Sequence, residues 1–302
     1  MPSLAIVGHI ALDFIRVKNL PCQRTLGGTP TYAGLSARRM GCRVKVISKV
    51  GEDFPDEYAL WLSRRGLDLS SLIRVKGART TSFELCYKNG DRDLRILGLC
   101  EPIRPEDIPK GLRADGIHIG SIAQEILGET FRLLSNLTPC LSLDPQGYLR
   151  CFDERGLVKE ALCLDQELLE TVNILKASRR EAFLITGFED PLKACLALKS
   201  RGPRTVIVTG GADRTIVLGE TGKAYMVPSW PSKVIDPTGA GDAFIGAFLA
   251  EYLSGEDVQW CACVGASMAS FVIEGYGPSM FGSKEEVYDR AERLLEGVKK
   301  VG

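Results

Sequence analysis

Short apolar runs punctuate the chain. Leu4-Ala5-Ile6-Val7-Gly8 and Val44–Val50 come first, then Gly116–Ile119, Cys140–Leu143, Val172–Leu175 and Val206–Val208. They have strand length, are rich in β-branched residues and lack strict alternation, as strands covered on both faces do. Amphipathic stretches of helix length fall between them, at 30–40, 53–66, 124–136, 190–200, 240–253, 256–274 and 284–299. This alternation predicts a three-layer α/β/α fold with a mainly parallel central sheet, as one domain over 1–302.

One segment differs in texture. Thr81, Phe83, Leu85 and Tyr87 alternate with Ser82, Glu84, Cys86 and Lys88, then Asn89-Gly90 precedes a polar return run to Leu97. Asn-Gly favours the type I′ turn of a two-residue hairpin. A lone hairpin is only marginally stable, so this one is expected to pair with the extended stretch Phe14–Val17. The result would be a small protruding sheet, its apolar face turned to a ligand or another subunit. The other reading is an extra edge of the main sheet.

Composition narrows the function. Lysine plus arginine total 38 of 302 residues, aspartate plus glutamate also 38, and the formal net charge is zero. Nucleic-acid binders and polybasic membrane-surface proteins carry a basic excess, so neither is expected. No apolar run reaches the ~18–20 residues that span a bilayer, and the N-terminus has no signal-peptide pattern. A soluble, cytoplasmic protein is the expectation. The ten cysteines include no Cys-x-x-Cys pair, and His9 and His118 are the only histidines. Reduced, mostly buried thiols are expected, with no Cys/His metal site. Asparagine and glutamine total nine, a low amide content of the thermophile kind, which leaves room for an internal disulfide.

The candidate chemistry lies in Val234–Phe248. Asp236-Pro237-Thr238 ends an extended segment, the small residues Gly239, Ala240 and Gly241 allow close backbone approach, and an apolar helix follows. The first amides of a helix lack partners and its dipole is positive there, so this is a ready anion site. Asp242 falls in the first turn, where the dipole is expected to keep it ionised. A carboxylate beside an anion site makes sense as the acceptor of a proton from a hydroxyl that attacks a phosphoryl group.

Asp236-Pro237-Thr238-Gly239-Ala240-Gly241-Asp242-Ala243-Phe244 resembles the C-terminal signature of the ribokinase-like sugar kinases, the PfkB family. Gly8-x-x-x-x-Asp13, Gly27-Gly28, Val50-Gly51-Glu52-Asp53, Val208-Thr209-Gly210-Gly211 and Gly275–Ser279 resemble further family motifs in the family's order. The resemblance implies a ribokinase-like fold with a β-sheet lid, built from segments near 13–26 and 79–99. It implies that Asp242 is the general base and that the amides of Gly239, Ala240 and Gly241 form an anion hole. Asp13, Gly27 and Gly28 would hold substrate hydroxyls; Thr209, Gly211, Thr238 and Gly277 would contact the nucleotide. It further implies ATP with Mg²⁺, a monovalent cation such as K⁺ near Asp236 and Ser279, and a homodimer through the lid. Two departures stand out. Ser178-Arg179-Arg180-Glu181 replaces the family's Asn-x-x-Glu, keeping Glu181 as an indirect, water-mediated metal contact. Arg214 stands where glycine is common, which leaves ADP open as the donor.

Asp144-Pro145-Gln146-Gly147-Tyr148-Leu149-Arg150 follows a core strand, on the side where open α/β sheets bind ligands. It resembles a stretch of the myo-inositol kinases within the family, and Asp144, Gln146 and Arg150 suit a ring of hydroxyls. The leading expectation is therefore a kinase for myo-inositol or a similar carbohydrate. A nucleoside kinase, with Tyr32, Phe83 or Tyr87 stacking on the base, is the alternative. A non-catalytic scaffold is less favoured, since Gly-Ala-Gly-Asp is intact.

Overall fold

The structure, a computed structural model, describes residues 1–17, 22–88 and 91–301. Seven parallel strands make most of the main sheet: β1 (Ser3–Val7), β4 (Arg43–Gly51), β5 (Leu67–Val75), β8 (Gly116–Gly120), β9 (Leu141–Asp144), β12 (Ile174–Ser178) and β13 (Thr205–Thr209). β14 (Thr215–Leu218), β15 (Ala224–Val227) and β16 (Lys299–Val301) extend it as an antiparallel edge. The order is β16-β15-β14-β13-β12-β9-β8-β1-β4-β5. The chain thus builds outward from β1 in both directions. Such a reversal opens a crevice at the carboxyl ends of the strands, and ligands bind there.

Both faces of the sheet are covered, which is why its strands lack alternation. Leu4 and Ile6 of β1 join one core and Ala5 and Val7 the other. The first core receives α1 (Thr29–Arg39), α2 (Asp56–Arg64), α6 (Ala240–Tyr252), α7 (Val258–Val272) and α8 (Lys284–Glu296) through Tyr32, Leu62, Phe248, Met268 and Leu294. The second receives α3 (Gly128–Ser135), α4 (Arg179–Thr186) and α5 (Pro191–Lys199) through Phe131, Ile185 and Leu198. The three-layer α/β/α arrangement is as expected from the sequence.

A separate four-stranded sheet has the order β3-β2-β6-β7, from β2 (Ala11–Val17), β3 (Gln23–Gly27), β6 (Ser82–Lys88) and β7 (Asp91–Gly98). β2 pairs with β6 through Phe14↔Glu84 and Ile15↔Leu85, the pairing expected for Phe14–Val17. The segment is its own sheet, not an edge of the main one. The Asn89-Gly90 turn lies outside the described residues.

Several elements escaped the sequence pattern. β5 is an edge strand of mixed polarity, so it lacks the apolar run of the inner strands. α4 spans eight residues and owes its start to a capping box, with Ser178 and Glu181 each serving the other's backbone N–H. The apolar run at 172–175 belongs partly to the loop before β12. A small hairpin, β10 (Arg150–Phe152) and β11 (Val158–Glu160), leans on this small sheet, the lid expected from the sequence, where the Ile96 N–H donates to Gly156 O at 2.8 Å. None of the ten cysteines is in a disulfide; Cys22 and Cys163 are exposed, Cys86 and Cys151 half-buried and the other six buried. Among the described residues no helix is long and apolar enough to cross a membrane.

Candidate active site

A cavity of about 420 Å³ lies between the lid and the carboxyl ends of the main strands. Asp13 and Phe83 reach it from the lid, Gly28 and Tyr32 from the start of α1, Gln146 and Arg150 from the segment after β9, and Gly239, Gly241 and Asp242 from the start of α6. The fold thus brings together most of the residues singled out by sequence.

Backbone geometry explains the two glycine turns. Gly28 caps α1 with φ 84°, and a Cβ there would sit 2.2 Å from His9 O. Gly239 caps α6 with φ 79°, and a Cβ there would lie 2.3 Å from the Tyr32 ring. Both positions need a left-handed backbone and no side chain. The second turn seats Tyr32 under the helix start and points the first turn of α6 at the cavity.

Asp242 accepts a hydrogen bond from the Thr29 hydroxyl at 2.7 Å. Burial first, and then the nearby Asp144 carboxylate, push its pKa from 3.8 up to about 6; Lys176, Thr29 and Arg150 oppose the rise. The helix dipole was expected to keep this carboxylate readily ionised. Desolvation wins instead, because the surrounding protein takes more from the charged form than the first turn returns. The result is a carboxylate able to take a proton near neutral pH.

Asp144 differs from its expected place. It is fully buried and does not line the cavity. One oxygen accepts the Gln146 N–H at 3.1 Å, and the other pairs with Lys176 of β12. Lys176, which sequence reasoning missed, does line the cavity and is nearly buried. Burial opposes its charge, but Asp144, Glu181 and Asp242 outweigh that and hold it protonated. Gln146 and Arg150 face the cavity and pair with each other, and the Arg150 guanidinium also donates to Ile122 O at 3.1 Å.

Ser178 and Glu181 both line the cavity while capping α4, so the serine that stands for asparagine fills a structural role there. Thr209, Gly211 and Thr238 line it as well. Three expected contacts are displaced. Ala240 faces a neighbouring cleft, and its N–H donates to Pro237 O at 3.3 Å. Gly27 lies beneath Asp13, whose carboxylate oxygen occupies the place of a Cβ, and does not line the cavity. Gly277 packs on Thr25 of the lid, where a Cβ would meet the hydroxyl at 2.2 Å, and lines neither space. Asp236 is buried and accepts the Thr238 N–H at 3.0 Å; Ser279 is exposed and donates to Tyr276 O. Arg214 points away, donating to Gly297 O at 3.3 Å.

The neighbouring cleft, of about 460 Å³, shares Thr209, Gly211, Pro237 and Gly241 with the cavity and continues past Trp230, Phe244, Ala266, Ala269 and Ile273. It offers an apolar slot beyond the anion site. A further unforeseen group joins the small sheet to the main domain. His9 hydrogen-bonds Thr81 at 2.8 Å and Glu101 O at 3.0 Å, on either side of the lid hairpin, while Glu125 accepts the backbone N–H groups of His9, Ile122 and Ala123. Its partners lie far apart in the chain, so no local motif announces it.

A carboxylate in the first turn of a helix, a small sheet beside it and two adjoining compartments suit group transfer between two bound molecules. The chain belongs to the pfkB family of carbohydrate kinases, whose pattern matches residues 1–284. Its relatives include nucleoside and sugar-alcohol kinases, and its fold is ribokinase-like. It is 28% identical over 284 residues to a cytidine kinase of Thermococcus kodakarensis, covering 92% of this chain and 98% of that one. It is 29% identical to an inositol 3-kinase of Oryza sativa subsp. japonica, covering 95% and 73%. Its fold matches, with TM-score 0.82, a pyrophosphate-dependent kinase of the ribokinase family complexed with a pyrophosphate analogue and myo-inositol; identity is 22%, and 95% and 99% of the two chains are covered.

Proposed function

We propose that this chain transfers the γ-phosphoryl group of ATP to a hydroxyl of a small carbohydrate, with myo-inositol the favoured acceptor. The observation that carries the reading is Asp242 at the first turn of α6, in one cavity with Asp13 and Arg150. Asp242 takes the proton of the attacking hydroxyl. Asp13, Gln146, Arg150 and the backbone at Gly28 hold the remaining hydroxyls, with Gly27 supporting Asp13 from below. The backbone at Gly239 and Gly241, more than at Ala240, faces the phosphoryl group.

ATP is favoured over a bare pyrophosphate by the apolar cleft next to the anion site, which suits a nucleobase. Thr209, Gly211 and Thr238 then line the path of the phosphates. A structural neighbour, a putative ribokinase II of E. coli, is complexed with ATP and Mg²⁺, while another neighbour is pyrophosphate-dependent. The Glu181 carboxylate and Ser178 hydroxyl are hard oxygen donors at the cavity wall, and they fit an Mg²⁺ ion held mainly by phosphates and water. The ion would neutralise charge on the transferred group.

Nucleoside phosphorylation is the second reading. The Phe83 and Tyr32 rings, with Leu85 and Ile122, give the cavity an apolar wall that suits a base, and the cytidine kinase relative points the same way. The test is a panel of myo-inositol, ribose, fructose, cytidine and other nucleosides, each with ATP, ADP and pyrophosphate. Highest kcat/KM for myo-inositol with ATP is expected. A nucleoside turned over as well as or better than inositol sinks the carbohydrate reading, and better transfer from pyrophosphate sinks the donor assignment.

A further inference from the structure

We infer that Lys176 is a catalytic residue, its ammonium group meeting the phosphoryl group in flight between donor and acceptor, with Asp144 as the anchor that holds it there. The inference rests on the kinase reading above.

Lys176 is the central residue of β12, a strand otherwise built from Ile174, Leu175, Ala177 and Ser178. An ammonium group at such a position needs a partner and a reason. Asp144, on the adjacent strand β9, supplies the partner. Stability does not supply the reason, since buried ion pairs are commonly matched or bettered by apolar residues of similar volume. Position supplies it. The Lys176 ammonium lies 2.7 Å from where a Cβ at residue 241 would be. It therefore abuts the first turn of α6, beside the proposed anion site, and lines the same cavity as Asp242. An ammonium group has three donors, and Asp144 takes one. Asp144 is itself held by the Gln146 N–H, so the head group is fixed before substrates arrive.

In the reaction, the acceptor oxygen bonds to the γ-phosphorus while its proton passes to Asp242. The bond from the γ-phosphorus to the bridging oxygen breaks, and the electron pair leaves with ADP. Lys176 gives and takes no proton. It opposes the negative charge spread over the transferring group, and a preset cation in a water-poor site does this with little reorganisation.

The test uses the full-length protein with Lys176→Met and, because that change leaves a buried Asp144 carboxylate unpaired, also with Lys176→Met/Asp144→Asn. Both variants are expected to lose about 10²-fold or more in kcat, the scale of removing one preset charge-stabilising group, with acceptor KM within about threefold. The pH profile gives a second readout. Asp144, Lys176, Arg150 and the Thr29 hydroxyl are the groups that act on Asp242. Loss of Lys176 alone moves the acid limb of kcat to higher pH, and loss of both charges largely restores it. A loss in kcat smaller than about tenfold in the double variant overturns the inference, as does an unmoved acid limb in a folded Lys176→Met protein. Failure of the kinase reading would show separately, as a wild type that turns over no acceptor.

Discussion

Replacing Asp242 by asparagine separates the chemistry of the carboxylate from its effect on folding. The side chain is nearly isosteric and keeps an oxygen for the Thr29 hydroxyl, which donates to Asp242 Oδ1 at 2.7 Å. The folded-state pKa of about 6 lies roughly two pH units above the ordinary 3.8, a difference worth about 3 kcal/mol. Below pH 3.8 the carboxyl is protonated whether the chain is folded or not, and the substitution leaves stability unchanged. Above pH 6 the folded protein must hold a charge that burial disfavours, and the amide is free of that penalty. Asp242→Asn should therefore be more stable than wild type by about 3 kcal/mol at pH 8, with about half the gain left at pH 5. In a chain of this size that is roughly 5 °C in Tm.

The same change should lower kcat by ~10²–10⁴, the range for loss of a general base. In the wild type, kcat/KM should fall on the acid side with a midpoint near pH 6. Urea unfolding at pH 8 and pH 5 gives the stability difference, and transfer of labelled phosphate gives the rate. Activity within tenfold of wild type refutes the base assignment. Equal stability at pH 8 refutes the account of burial. A gain in stability with a loss of activity is the joint outcome expected when a strained group is kept for chemistry.

Other expectations follow from single features. Burial lowers the pKa of His118 to about 4, with Asp144 opposing and Lys176 adding to the shift; stability is therefore lost as pH falls from about 6.5 to 4, by up to about 3 kcal/mol. Asp242 contributes the opposite slope over nearly the same interval, so Asp242→Asn should show a steeper acid loss than wild type in urea midpoints. A slope no steeper than wild type counts against the raised pKa of Asp242, and no acid loss between about pH 6.5 and 4 in the variant counts against the His118 assignment. Gly239→Ala places a Cβ 2.3 Å from the Tyr32 ring at φ 79°; a loss of about 2 kcal/mol or more is expected, together with a raised donor KM. Unchanged values of both would show that the turn adapts freely. Ala269→Phe fills part of the apolar cleft; KM for ATP should rise at least tenfold while KM for the acceptor stays within about twofold. An unchanged ATP KM would mean that the base lies elsewhere.

The readable parts of this protein are those whose cause is local in the chain. Gly239 caps an apolar helix and Gly241 lies in its first turn, next to Asp242, so the turn, the helix start and the acid are visible in one window. Phe83 and Leu85 alternate with polar residues, which fixes one face of the lid, and that face does line the cavity. Gly277 marks where this reasoning gives out. Its loop sequence resembled a nucleotide contact, but its positive φ of 58° and the absence of a side chain serve close packing on Thr25 of the lid. A glycine signals close approach without naming the group that approaches.

Asp144 and Lys176 show the same limit from the other side. An aspartate at the end of a parallel strand lies where ligands of open sheets bind, so a role in contacting substrate was the natural expectation. The same location also lies beside the next strand of the sheet, and β12 places Lys176 there, 32 residues away in sequence. Only the strand order β12-β9 turns two separate charges into a pair. Once paired, their roles are divided by depth. Asp144 is fully buried, while Lys176 reaches the cavity wall beside Gly241. The cation is therefore the member able to act on an anionic substrate group, and the carboxylate sets its position. The zero net charge of the chain fits this division, because the cavity gathers Lys176, Arg150, Arg179 and Arg180 locally and needs no basic excess over the whole surface.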